Sequence, residues 1–229
     1  GKVLGGHIGF LMLIPVIHKD VDAGSSLTLP PPFGVTVSQN FGDQETRFGD
    51  LVPGFMLGWH YGNWHFKTHT LVNAPTGFWE QGNLANAGFN RWGIDNAAAF
   101  TWLDPNIGLE ISAMAGITYN WENPTTKYKS GTEFHLEYAA VQNFSKQFGV
   151  GINGYYYDQV TGDSGAGAML GSFAGRVSAI GPVLNMNFQL GKLPVLTSLK
   201  YFREFDVENR LEGDAGYATI TIPLSVAGQ

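Results

Sequence analysis

Ten strand-like segments are joined by connections that alternate without exception between tight and long. Period-two alternation places the segments at 7–17, 51–61, 64–74, 94–104, 107–121, 133–144, 148–160, 175–190, 195–206 and 215–224. The tight connections are Gly62-Asn63, Asp104-Pro105-Asn106, Ser145-Lys146-Gln147 and Gly191 to Pro194. The long ones, 18–50, 75–93, 122–132, 161–174 and 207–214, are polar and rich in Gly, Asn, Asp and Thr. A soluble sandwich has no reason to sort its loops by length onto two ends. An outer-membrane barrel does, with short periplasmic turns and longer external loops.

Composition agrees. The chain is 44% hydrophobic yet only 14% charged, below the roughly 25% of a soluble domain. No run reaches the roughly 18 apolar residues that a membrane helix needs. The most apolar stretch, Gly9 to Ile17, has strand length and contains Pro15. A closed barrel is the other structure that satisfies every backbone group in lipid. The sequence therefore predicts an all-β, transmembrane antiparallel barrel forming one domain over residues 1–229. The expected location is the bacterial outer membrane, with membrane lipid and lipopolysaccharide around a monomer.

The side chains sort onto two faces, because successive strand residues point oppositely. Leu109, Ile111, Ala113, Ala115, Ile117, Tyr119 and Trp121 share one face, and Glu110, Ser112, Met114, Gly116, Thr118 and Asn120 the other. The apolar faces are expected to meet lipid and the polar faces the lumen. Trp59, Tyr61, Trp64, Phe66, Trp102, Phe144 and Phe148 lie beside tight turns, while Tyr119, Trp121, Phe134 and Tyr156 lie beside long loops. Such two-ended placement suits aromatic girdles at the two interfaces.

The same sorting sends Lys67, His69, Asp95, Glu110, His135, Glu137, Lys200 and Glu204 into the lumen. Charges of both signs there read first as a structural network, since unpaired buried charge is costly. A solute-selecting lining is the second reading. The first strand departs from the rule: Leu11, Leu13 and Ile17 occupy its inward face, and Met56 and Phe202 join them by alternation. Either part of the lumen is apolar and suits apolar or amphipathic solutes, or these side chains pack beneath an inward-folded segment.

Other chemistry finds little support. His60 and His65 oppose each other across the Gly62-Asn63 turn, but a metal needs more ligands. His65 and His69 lie about 13 Å apart along one strand and do not chelate together. The chain has no Cys, no G-x-S-x-G elbow and no phosphate-binding GK[ST] ending, and its net charge of -6 disfavours nucleic acid. No catalytic residue, metal site or cofactor is expected.

Several segments resemble the outer-membrane channel family associated with the meta-pathway of phenol degradation. They are WENPTTKYKSGTEFHLEYA (121–139), GINGYYYDQVTGDSG (151–165), GRVSAIGP (175–182) and KYFREFDVENRLEGD (200–214), together with VLGG (3–6), GDLVPG (49–54) and VNAPTG (72–77). The resemblance implies twelve strands, two more than the ten countable here, with the extra pair ahead of the VLGG turn. It implies a strand ending on an aromatic such as F-P-F, where this chain has Ile222-Pro223-Leu224 and then SVAGQ. It also implies passage of small hydrophobic compounds, often aromatic carbon sources. The expected function is passive uptake of small hydrophobic, monoaromatic molecules. The alternatives are a general or structural barrel, or an outer-membrane enzyme acting on lipid.

Overall fold

The computed structural model describes residues 2–28, 30, 32, 34–191 and 193–223. Those residues form no helix and thirteen strands. The strands are β1 (Lys2–Val3), β2 (Gly6–Leu13), β3 (Val16–Thr28), β4 (Thr36–Phe48), β5 (Val52–Tyr61), β6 (Trp64–Asn73) and β7 (Gly93–Asp104). They continue as β8 (Leu109–Asn120), β9 (Glu133–Asn143), β10 (Phe148–Gln159), β11 (Arg176–Leu190), β12 (Leu193–Glu208) and β13 (Asp214–Thr221). Eleven strands make one antiparallel sheet in the order β1-β2-β5-β6-β7-β8-β9-β10-β11-β12-β13, and β3 pairs with β4 alone.

Each chain neighbour in the sheet is also a spatial neighbour, so successive connections must fall at opposite ends. The turns at 4–5, 62–63, 105–108 and 144–147 and the connection between β11 and β12 share one end, and the long connections share the other, as the loop lengths predict. Gly62 sits at φ +58° in a two-residue turn, a conformation that a side chain makes costly.

Two expectations need correcting. The segment 7–17 is not one strand: β2 ends at Leu13, and Ile14-Pro15 carries no ladder pairing. Pro15 has no N–H to offer a neighbour, so the ladder stops there. Its carbonyl instead accepts a 2.9 Å hydrogen bond from Gly49 N. The stretch 18–50 is not a loop either. It is a hairpin of two thirteen-residue strands, paired from Val16↔Phe48 to Thr28↔Thr36. Among the described residues the count is thus thirteen strands rather than ten. The segment from Leu224 to Gln229 lies outside the described residues.

The sheet curls until distant strands share one interior. Tyr155 on β10 donates to Glu204 Oε1 on β12 at 2.6 Å, reaching past β11. Val52 of β5 and Arg210, which follows β12, border a single cavity. Cross-strand register then separates the faces. One row runs Trp64, Trp102, Ile111, Ala140, Ile152 and Pro182. The adjacent row runs Glu110, Val141, Gly151, Val183, Lys200 and Tyr217. Ile111 is 42% exposed, whereas Val141 and Val183 are 3% exposed. The first row faces outward and the second inward. Placing Arg at Ile111 is expected to cost about 2–4 kcal/mol if that row meets mid-bilayer lipid. Equal refolding yields of Ile111→Arg and wild type in lipid vesicles would contradict this orientation.

Candidate functional site

The inward faces of β6 to β9 carry a linked polar group. Asp95 on β7 sits at its centre. Its Oδ1 lies 3.3 Å from His69 Nε2, and its Oδ2 lies 2.8 Å from His135 Nε2. Thr118 donates to Asp95 Oδ2 at 2.7 Å, and His135 Nδ1 lies 2.9 Å from Glu137 Oε1. His135 must reach Asp95 across β8, and Gly116 leaves the space. A Cβ at Gly116 would stand 2.3 Å from His135 Nε2 and 2.8 Å from Ala97 Cβ.

The remaining polar candidates are placed separately. Glu204 accepts from Tyr155 Oη at 2.6 Å and from Gly213 N at 2.8 Å, with Arg210 at 3.9 Å. Glu110 accepts from Ser112 Oγ at 3.3 Å. Lys67 borders a cavity of about 460 Å³ near the tight-turn end, together with His7, Met56, His60 and His65. Among the described residues neither Lys67 nor Lys200 has a carboxylate within 4.0 Å. Among the described residues the inner pairs thus join Asp95 and Glu137 to imidazole and Glu204 to the Arg210 guanidinium, with neither lysine taking part. Lys67 and Glu137 share a row but are separated by Ala99 and Met114.

Of the apolar candidates, Phe202 is 8% exposed and packs on Tyr155 and Tyr217, with ring centroids 5.1 and 5.7 Å away. It borders a cavity of about 620 Å³ with His135, Glu137, Lys200 and Glu204. Leu11 and Leu13 pair with Gly54 and Val52 and share their inward face. Leu11 is half-buried, and Leu13 is 49% exposed. Ile17 does not stand on the barrel wall, because the break at Pro15 puts it in β3. There it packs beside Gly49 at the hairpin base.

A cavity of about 690 Å³ lies at the long-loop end and contains few of the residues that alternation selects. Its apolar border includes Val52, Leu71, Phe89, Trp92, Tyr157 and Phe173, and its polar border includes Arg91, Asp95, Asn120, Glu133 and Arg210. Tyr157 and Arg210 border the 620 Å³ cavity as well, so the two spaces adjoin. The Arg210 guanidinium stacks over the Tyr157 ring at 4.9 Å.

Loop contacts hold this rim in place. Asp50 is 4% exposed and accepts from Gly77 N at 2.8 Å, Phe89 N at 2.9 Å and Asn73 Nδ2 at 2.9 Å. Asp163 accepts from Tyr128 Oη, from Gln159 Nε2 at 2.6 Å and from Gly131 N at 3.2 Å. Burial, and then the Asp163 carboxylate, push the Tyr128 hydroxyl up to about 12. Burial draws the Arg91 guanidinium down from its ordinary value, against the opposing fields of Glu133 and Asp50. Arg91 Nε donates to Asn120 Oδ1 at 3.3 Å. The hairpin base joins the same framework: Lys19 Nζ donates to Asn86 O, and Asp43 Oδ2 accepts from Ala85 N at 2.9 Å.

His60 and His65 do meet across the turn, with their Nδ1 atoms 2.6 Å apart. Among the described residues no group of three or more His, Cys, Asp or Glu is placed to hold a metal ion.

The fold is similar to the crystal structure of an outer membrane channel from Pseudomonas putida F1. The TM-score is 0.63 at 14% identity, over 95% of this chain and 82% of that one. No curated protein sequence matches the chain. The all-β antiparallel architecture is thus that of an outer-membrane channel barrel. A family model covers residues 1–220, and the chain belongs to the family described as "Putative MetA-pathway of phenol degradation".

Proposed function

We propose that the chain is a passive channel of the bacterial outer membrane for small apolar or amphipathic, monoaromatic molecules. The observation that carries this reading is the pair of adjoining interior cavities, about 690 and 620 Å³, bordered by Phe89, Trp92, Tyr157, Phe173 and Phe202. Such volumes lie within the roughly 300–1,000 Å³ range of small-molecule sites, which are mostly apolar with a few placed polar groups. An apolar wall lowers the desolvation cost for an apolar solute and is a barrier to an ion, whose hydration shell finds no replacement. Family membership and the channel-like fold support the same reading. Lipopolysaccharide slows apolar solutes, so a protein interior that shields them from that leaflet serves uptake.

The inner carboxylates do not argue for a cation pore. Asp95 and Glu204 are each engaged by neighbouring donors. In planar bilayers the protein is expected to give small currents with weak ion selectivity. Large, stable ionic conductance would indicate a general porin instead.

A further inference from the structure

We infer that Arg91 makes the long-loop cavity a binding site for aromatic acids of the benzoate type, with carboxylate on guanidinium and ring against the aromatic border. The inference rests on the channel reading above and names its substrate class.

Four of the five arginines have a carboxylate partner. Arg47 pairs with Glu45 at 3.0 Å, Arg176 with Glu208 at 3.1 Å, Arg203 with Glu212 at 2.7 Å and Arg210 with Glu204 at 3.9 Å. Arg91 has none within 4.0 Å among the described residues. Its Nε is engaged by Asn120, but neither terminal nitrogen has a hydrogen-bond partner among the described residues. Neither terminal nitrogen is sealed from solvent, and Arg91 borders the cavity.

The carboxylates around the cavity lend Arg91 their field, but none pairs with it directly because other donors hold them. Asp95 is taken by His69, His135 and Thr118; Glu133 accepts from Asn120 Nδ2 at 2.8 Å; Asp163 is taken by Tyr128, Gln159 and Gly131. What the cavity offers a solute is therefore a planar fork of N–H donors. A carboxylate matches that fork bidentately. The surroundings fix the rest of the ligand. Arg91 stacks on Phe89 at 4.8 Å, and Trp92, Phe173, Leu71 and Val52 complete an apolar border. A bare inorganic anion would leave that surface unused, and a neutral hydrocarbon would leave the guanidinium without a partner.

The test compares benzoate with benzamide, its uncharged isostere, at pH 7. Initial uptake is measured in cells lacking general porins, with and without the full chain. The variants are Arg91→Gln and Arg91→Lys, with Arg203→Gln as a surface control. Arg91→Gln should lower protein-dependent benzoate uptake at least about tenfold, roughly 1.4 kcal/mol, and leave benzamide uptake within about twofold. Arg91→Lys should fall between, since an ammonium keeps the charge and loses the fork. Arg203→Gln should behave as wild type. Folded barrel is measured by heat-modifiable gel mobility, and uptake is expressed per folded molecule. If Arg91→Gln does not fold, the Arg91→Lys benzoate-to-benzamide ratio decides. A ratio unchanged by substitution at Arg91, with benzamide still entering, overturns this inference alone. Neither solute entering faster with the protein than without overturns the channel reading beneath it.

Discussion

Replacing Asp50 with alanine is expected to destabilise the barrel by about 2–4 kcal/mol and to free the 74–92 loop from the rim. The carboxylate is 4% exposed and accepts from two backbone N–H groups, of Gly77 and Phe89, and from the Asn73 amide. Each buried donor left without an acceptor costs about 1–3 kcal/mol, and the loop recovers part of that by opening to water. The glycines at 77 and 88 show how closely the loop wraps this group. A Cβ at Gly88 would stand 2.8 Å from Asp50 Oδ1, and one at Gly77 would stand 2.6 Å from Asp50 N. Urea unfolding in micelles, followed by tryptophan fluorescence, gives the stability change. Limited proteolysis reads the loop. An unchanged midpoint together with full protection of 74–92 would show that the loop is held by other contacts.

Asp95→Ala is expected to cost about 3–5 kcal/mol, because it strands the partners of a largely enclosed charge. The side chain is 17% exposed, with His69 at 11% and His135 at 18%. Removing it leaves His69, His135 and Thr118 without the acceptor they share. Asp95→Asn keeps the shape and one acceptor oxygen, so it should lose less. Gly116→Val should act on the same network from across the strand, since its side chain would occupy the site of the His135 ring. Unfolding midpoints that rank Asp95→Ala equal to Asp95→Asn would place the network's contribution in side-chain packing rather than in hydrogen bonding.

The meander and its two faces were legible in the sequence for a physical reason. Where a strand separates lipid from lumen, period-two alternation is enforced at every residue. Hence Ile111 and Ile117 read as outward, and Glu110 and His135 as inward, from spacing alone. The β3–β4 hairpin escaped the same reasoning because most of it has exposed residues on both faces, so nothing imposes a period. Its Gly, Ser, Asp and Asn content looks like loop although its two strands pair from Val16↔Phe48 to Thr28↔Thr36. Pro15 was the available signal that the first strand had to end before Ile17.

The candidate site divides along the same line. Asp95, His135, Glu137, Phe202 and Glu204 lie on strands and could be found by alternation. Phe89, Arg91, Trp92, Phe173 and Arg210 lie on long connections, where position depends on contacts that periodicity does not encode. The most informative trace of them was local. In GDLVPG, Asp50 is an acidic residue between a glycine and an apolar strand, and its carboxylate is what pins the loop carrying Phe89 and Arg91.

The most direct test of a passage for small aromatic molecules is the initial uptake of toluene and of sucrose in the same porin-deficient cells, with and without the protein. The expected result is faster toluene entry with sucrose entry unchanged, and slower toluene entry when Leu11 and Leu13 are both replaced by Asp in a barrel that still folds. Faster sucrose entry with toluene entry unchanged would contradict it and mark the barrel as a general porin.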